Sequence, residues 1–365
     1  MAIVEKYISK NLIITISIVT LILTGVVSLL DLVDEIKKVG TGNYTFKMAL
    51  IYVFLSIPQN MYEIMPLSCL IGGLIGLSKL SSTNELNALK AGGISFYKII
   101  LITIRLGIYL VIFTFLIGEL IAPKGLQLGS ELKNISQSAR VSLHNTEGVW
   151  AKQKNKFIHI KEIYPDKSIR GVSIYSFNDK QQLTKMMYAE DAKYENGSWE
   201  MLNVKTTDFL SNSLKVDKKE KVIVEKLVDL DLFDIIIVKP NQMSVVQLDQ
   251  YINYLRDNNL DTQIFELAYW EKFSLPMLCI VMFLIITPFV HSEVRTANYG
   301  QRVFLGILLG IVVFLFNQSI NKLTIVLDLN PAFGAFFPLV FFFTLSIYIL
   351  YKLYGSKFSL NLSLK

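Results

Sequence analysis

The sequence predicts an α-helical integral membrane protein with six transmembrane helices and an inserted all-β domain. Three observations carry that prediction. Apolar stretches fill roughly residues 12–122 and 270–354, in runs long enough to cross a bilayer. Between them, from about Pro123 to Glu266, lies a polar segment patterned as β-strand. The 365 residues are 52% hydrophobic and 18% charged, with mean hydropathy +0.44, a balance that soluble domains rarely reach.

The six spans follow in order, at roughly 20 residues per crossing. The first is Leu12–Leu30, running on as helix to Lys38, with Lys6 and Lys10 ahead of it. At about 19 residues it exceeds the core of a signal peptide, and no small-residue cleavage site follows, so it reads as an uncleaved helix. The second is Met61–Leu80. The apolar stretch before it, Met48–Ile57, ends at Pro58, and Pro58 and Pro66 predict a break into an interfacial piece and a span. The third is Tyr97–Ile121, the fourth Trp270–Val290, the fifth Gln301–Leu323 and the sixth Pro331–Tyr354.

Short loops set the orientation. The tail after Tyr351 carries Lys352, Lys357 and Lys365 and no acid. The loop between spans two and three has Lys79, Lys90 and Lys98 against Glu85, and that between spans four and five has Arg295 and Arg302 against Glu293. The opposite loop, Asp31–Phe46, balances acids against Lys37 and Lys38. Excess cytoplasmic lysine and arginine then puts both termini inside and the central segment outside, which is the periplasmic face if the host is Gram-negative.

That central segment alternates apolar and polar residues in Lys156–Lys161, Gly171–Phe177 and Gly197–Val204, separated by turn-forming residues. A sandwich, barrel or jelly roll fits. Charged Lys215–Lys226 reads as a loop and strand edge. Helical periodicity returns at Val246, Leu248, Ile252 and Leu255. The expected division is residues 1–122 as helices one to three, 123–245 as the β domain, and 246–365 as a linking helix and helices four to six.

Composition excludes several classes of function. The net charge of +6 and pI near 9.0 follow from lysines flanking membrane spans, so no nucleic-acid partner is expected. Cys69 and Cys279 sit in separate apolar helices as packing residues, and His144, His159 and His291 are scattered, so no metal and no cofactor are expected. There is no GxxxxGK[ST] loop and no GxSxG, so the chain has neither a nucleotide cradle nor a nucleophile elbow and is not expected to be an enzyme.

Four local patterns invite a functional reading. Ser82 and Glu85 have capping-box spacing ahead of a short helix that Gly92 or Gly93 would stop. This helix is either an ordinary capped connector or a coupling helix whose Glu85, Leu86 and Leu89 would dock in a groove of a cytoplasmic ATPase. Lys37 and Lys38 sit where the phosphates of a lipid headgroup would lie, although an Asp34–Lys38 pair is the plainer reading. Gly72-x-x-x-Gly76 and Gly306-x-x-x-Gly310 allow close helix contact, within the chain or between subunits. Asn317 and Asn321, one turn apart in span five, should face protein or a cavity and join the lysines as candidate substrate contacts. Arg105 and Glu119 in span three stand about 21 Å apart along a helix and cannot pair.

The order of these features resembles the YjgP/YjgQ (LptF/LptG) family of lipopolysaccharide export permeases. The resemblance runs nearly the whole chain: Leu32 to Gly40, Pro66-Leu67 with Gly72-Gly73, Asn84-Glu85-Leu86 with Ala91-Gly92-Gly93, Gly118 to Pro123, Gly148 to Lys152, Gly171 to Phe177, then Arg295, Gly300 and Arg302. It implies a six-helix inner-membrane subunit with a periplasmic β-jellyroll between helices three and four. It implies pairing with an LptF-like permease, a dimer of an LptB-like ATPase, and LptC-like and LptA-like periplasmic bridge proteins. The substrate implied is lipopolysaccharide, drawn from the outer leaflet of the inner membrane, with ATP hydrolysed by the partner. Lys37 and Lys38 match the family's basic residues near lipid A phosphates, whereas Asp31 stands where the family pattern carries a lysine. The alternative is a mechanotransmitting ABC subunit that moves no lipid itself.

Overall fold

The computed structural model describes residues 2–83, 85–93, 96–137, 149–153, 155–163, 168–178, 181–195, 198–210, 213–224, 239–291 and 299–362. Helix α1 is Ala2–Ile36, α2 Phe46–Ser82, α3 Glu85–Ala91 and α4 Phe96–Leu116. A π-helical turn, Ile117–Ile121, leads into α5, Ala122–Gln137. Strands β1 (Val149–Gln153), β2 (Lys156–Ile163), β3 (Ile169–Phe177), β4 (Leu183–Glu195), β5 (Ser198–Leu210) and β6 (Ser213–Val224) follow. The chain returns to helix in α6 (Val245–Asp257), α7 (Gln263–His291), α8 (Tyr299–Val326) and α9 (Pro331–Leu362). Among the described residues, six helical segments are long and apolar enough to cross a membrane.

The chain divides into two compact units. The first comprises residues 1–33, 53–126 and 263–365, and the second residues 34–52 and 127–262. The second unit thus takes the loop after α1, the first turns of α2, most of α5, and α6 along with the sheet. The sequence alone placed these boundaries at 123 and 246.

In the first unit α2 is the central helix: 72% of its most apolar window is buried, against 28% for α1 and 22% for α8. Lipid tails are as apolar as leucine, so close packing rather than water avoidance must hold helices together in a bilayer. Small residues supply it. A Cβ at Gly72 would lie 2.6 Å from the Ile16 Cα, and one at Gly76 2.9 Å from the Leu12 side chain, so this pair lets α1 cross α2. A Cβ at Gly306 would lie 2.5 Å from Leu74, and one at Gly310 would collide with Leu67, so α8 crosses α2 the same way. Both glycine pairs therefore serve contacts within the chain. Cys69 and Cys279 are free thiols, fully buried in the same core.

Three expectations are corrected here. Helix α2 is unbroken through Pro58 and Pro66. Its 37 residues span ~55 Å, more than a bilayer core, so its first turns belong to the second unit rather than to a separate interfacial helix. Neighbouring helices and side chains re-satisfy the backbone groups a proline frees inside a membrane. The third span likewise continues as helix to Gln137, since Pro123 falls in the first turn of α5, where a proline is tolerated. The fourth begins at Gln263 instead of Trp270, because the Gln263 side-chain amide donates to the Thr324 carbonyl at 2.9 Å and fixes that end against α8.

In the second unit the six strands pair antiparallel in consecutive order. Their buried face gathers Ile158, Ile160, Ile169, Val172, Ile174, Ala189, Ala192, Trp199, Met201 and Val204. Each large member contributes roughly 1.5–3 kcal/mol by leaving water. The period-2 alternation breaks along one line across the sheet. Ile169 and Val172, Ala189 and Ala192, and Met201 and Val204 are each three apart, yet all are buried. Residues three apart on a regular strand face opposite ways. Left-handed backbone at Gly171 (φ +66°) and Asn203 (φ +52°) resets the phase on β3 and β5. The Asn203 amide donates to Glu190 at 2.9 Å across this crease. Helix α6 starts at a true capping box, Ser244 with Gln247, and buries Leu248, Tyr251, Ile252 and Leu255. Burial, first, and Tyr254 push the Tyr251 phenol up to about 12.

Candidate functional site

The loop leaving α1 is organised by one carboxylate, Glu35, which is 4% exposed. Its Oε1 accepts from Lys38 Nζ and from Lys133 Nζ, each at 2.7 Å, and its Oε2 accepts from the Tyr44 hydroxyl at 2.8 Å. Lys133 also lies 4.7 Å from the centre of the Tyr52 ring, a cation–π contact. Burial and then the Glu35 carboxylate hold the Tyr44 phenol above its ordinary range. Desolvation opposes the charge on Lys38, but Glu35 outweighs it and raises the ammonium above its usual value. Lys37 is more open and pairs with Asp34 at 2.7 Å. The expected Asp34–Lys38 pair is therefore replaced by Lys37–Asp34 and Lys38–Glu35, both three residues apart. The two adjacent lysines end the helix as turn residues, so helical i,i+4 geometry does not reach them.

Within the first unit polar contacts join α1, α2, the π turn, α7 and α8. Asn60 Nδ2 donates to Asp31 Oδ2 at 2.7 Å, and Gln59 Nε2 to Glu63 Oε1 at 2.7 Å. Lys272, 5% exposed, donates to the Gly118 carbonyl at 3.0 Å and lies 5.5 Å from the Tyr62 ring centre. The π turn explains why that carbonyl is available. The Ala122 N–H bonds back to the Ile117 carbonyl, five residues earlier. The next donor in that pattern would be residue 123, a proline without an N–H. Gly118 is thus left without a backbone partner, and Lys272 supplies one from α7.

Asn321 is buried and its side-chain amide donates to Glu271; Asn317, one turn earlier, is half-buried. Gly306 and Gly310 lie against α2, as above.

At the opposite end of α1 the Tyr7 hydroxyl donates to Glu85 Oε2 at 2.7 Å, and Thr83 Oγ1 to Glu85 Oε1 at 3.0 Å. Glu5 pairs with Arg105 at 2.8 Å. The predicted Ser82–Glu85 capping box is corrected. Ser82 is the last residue of α2 and its hydroxyl donates to the Lys79 carbonyl, while Glu85 is the first residue of α3. Leu89 is half-buried. The Leu86 side chain, Asn84, Gly148, Gly197, Arg295 and the Arg302 side chain lie outside the described residues.

Sequence reasoning missed Glu35 and Lys133 as partners, Tyr7 as a holder of Glu85, and Lys272 and Glu271 inside the helical unit. The last two carried a signal: adjacent charges within an apolar run, which a membrane segment keeps only when they are partnered or functional. No group of three or more metal-ligating side chains occurs among the described residues.

Six apolar helices and an antiparallel β insertion between the third and fourth, among the described residues, define a multi-pass membrane protein that carries a β domain. The chain belongs to the family described as lipopolysaccharide export system permease LptF/LptG, which it matches over residues 6–352. It is 30% identical over 354 residues to the lipopolysaccharide export system permease protein LptG of Escherichia coli K12, covering 96% of this chain and 98% of that relative. It is 26% identical over 348 residues to LptG of Haemophilus influenzae, covering 95% and 97%. The family and the apolar helices make it a multi-pass inner-membrane protein and a lipopolysaccharide export permease.

Proposed function

We propose that this chain extracts lipopolysaccharide from the outer leaflet of the inner membrane and passes it along its β domain toward the outer membrane, driven by a partner ATPase. The observation that carries the reading is the family match over residues 6–352, which takes in the helices and the β insertion together. The partners are an LptF-like permease, an LptB-like ATPase dimer, and LptC-like and LptA-like bridge proteins. Both termini and α3 lie in the cytoplasm, and the sheet in the periplasm.

Roles follow from position and chemistry. Lys37 and Lys38 meet headgroup phosphates; as compact, rotatable point charges they tolerate headgroup variation. Asn317 offers a half-open amide to the lipid, and Asn321 acts through Glu271. Glu85, Leu86 and Leu89 couple α3 to the ATPase. Gly306 and Gly310 keep α8 against α2.

Co-expression with the partner genes tests this directly. The purified complex should contain an ATPase and lipopolysaccharide, and a photo-crosslinker at position 37 or 38 should capture the lipid. A complex competent for export that yields no crosslink would remove both lysines from the path. Orientation is read by an impermeant thiol reagent in spheroplasts: Ser176→Cys should label and Ser359→Cys should not. Cys69 and Cys279 are fully buried and give little background. Labelling of position 359 alone would invert the topology.

A further inference from the structure

The sheet has a second face, and the pairing register organises it. Residues directly opposed on antiparallel strands lie on the same side of a sheet. Trp150, His159, Ser173, Tyr188, Lys205 and Lys218 therefore form one row across the six described strands, on the side away from the buried face. Neighbouring rings hold the aromatic end of this row. The Trp150 ring centre lies 4.6 Å from that of His159 and 5.9 Å from that of Tyr175, and it stacks on Tyr175 with 24° between the planes. Trp150 is nevertheless 58% exposed and Tyr188 42%. At the other end Lys205 and Lys218 are both exposed and directly opposed. Like charges in that position destabilise a strand pair. Lys185, Lys219 and Lys221 each pair with a carboxylate, but neither Lys205 nor Lys218 does so among the described residues. Glu190, two residues along β4 from Tyr188, is engaged by Asn203. Lysine on an edge strand deters mispairing, which would account for Lys218 but not for Lys205 inside the sheet. Cross-strand stacking likewise accounts for the packing of Trp150 but not for its open ring face.

We propose that this row binds a phosphorylated oligosaccharide, with sugar rings on Trp150 and Tyr188 and a phosphate between Lys205 and Lys218. The inference rests on the export reading above and assigns the glycan part of the substrate to the open face of the β domain. An aromatic face is electron-rich and meets the polarised C–H bonds of a sugar ring. Strands are spaced ~4.8 Å apart, which sets Trp150 ~14 Å from Tyr188 and the lysines one and two strands further on. Such a span suits several linked sugars rather than one. A phosphate between the lysines accepts charge-assisted hydrogen bonds from both and relieves their repulsion.

The test uses the complete complex in nanodiscs of zwitterionic lipid and measures binding by calorimetry. Two probes are compared: the phosphorylated oligosaccharide released from lipopolysaccharide by mild acid, which carries no lipid A, and the same oligosaccharide after dephosphorylation. Wild type should bind the phosphorylated probe about tenfold more tightly. Trp150→Ala and Tyr188→Ala should each weaken both probes severalfold. Lys205→Gln/Lys218→Gln should erase the preference for phosphate and leave the dephosphorylated probe bound as before. Lys37→Gln/Lys38→Gln should change neither affinity, because the probes lack lipid A. No binding of either probe by wild type overturns the proposal, whatever the variants do. So do affinities that are unchanged by the aromatic and lysine substitutions. Inorganic phosphate that displaces the probe at equal concentration would reduce the row to a simple anion site. A Trp150 fluorescence change on moving wild type into anionic nanodiscs, with no response to oligosaccharide, would assign the row to a bilayer surface instead. A complex that retains intact lipopolysaccharide but binds no oligosaccharide defeats this inference alone; one that retains neither defeats the export reading as well.

Discussion

Lys133 donates to Glu35 at 2.7 Å across 98 residues of sequence, and the two side chains are 14% and 5% exposed. One carboxylate thereby holds two ammoniums and a phenol, and ties the end of α1 to α5 and to the loop before α2. Removing one partner of such a buried pair leaves the other uncompensated. Glu35→Ala should lower unfolding stability by about 3 kcal/mol. Lys38→Ala, whose side chain is 45% exposed, should cost about 1 kcal/mol or less. Chemical denaturation in detergent measures both; equal costs would remove Glu35–Lys133 as the principal contact.

The Lys272–Gly118 bond makes a sharper prediction. Lys272→Met keeps the packing but leaves the Gly118 carbonyl unmet, which should lower stability by about 1–3 kcal/mol. Pro123→Ala restores a backbone N–H in position to reach that carbonyl in the π pattern. The double variant should regain part of the loss. Strict additivity of the two changes, followed by thermal unfolding, would show that the proline plays no part in freeing Gly118.

Because Ser82 bonds back to Lys79, Ser82→Ala should leave α3 and ATPase docking unchanged, within about 0.5 kcal/mol. Glu85→Ala should reduce coupled ATP hydrolysis and export together. Tyr7→Phe removes only the hydroxyl that holds Glu85 and should produce a partial version of the same defect. Comparing ATP hydrolysed per lipid released in the three variants orders them; a Ser82→Ala defect as large as that of Glu85→Ala would restore the capping box.

The glycine contacts are within the chain, so their loss should appear in the isolated subunit. Gly310→Val forces a side chain into Leu67 and should destabilise by about 1–3 kcal/mol. Gly25, with nothing within 4 Å of where a Cβ would stand, should accept alanine without loss. Thermal stability of the subunit expressed alone decides it. A Gly310→Val change that alters only assembly with the second permease would move that contact to the interface.

What the sequence determined by itself is what repeats along it. Apolar run length gave six spans, alternation gave strands at Lys156–Lys161 and Gly171–Phe177, and the order of short motifs gave the family. These signals sum over neighbours in the chain, and the structure places helices and strands on them. Local rules failed where the partner is distant. Pro58 and Pro66 read as breaks, but flanking helices hold α2 continuous. Ser82 and Glu85 had the spacing of a cap, but α2 runs on to Ser82 and Tyr7 reaches Glu85 from 78 residues away. Lys37 and Lys38 were legible as cations; that Glu35 gathers Lys38 with Lys133, and that Asn60 reaches Asp31 from α2, depended on how the helices cross. Periodicity is a property of the chain, whereas the partner of a charge is fixed only when packing brings two distant segments within hydrogen-bond reach and excludes water from between them.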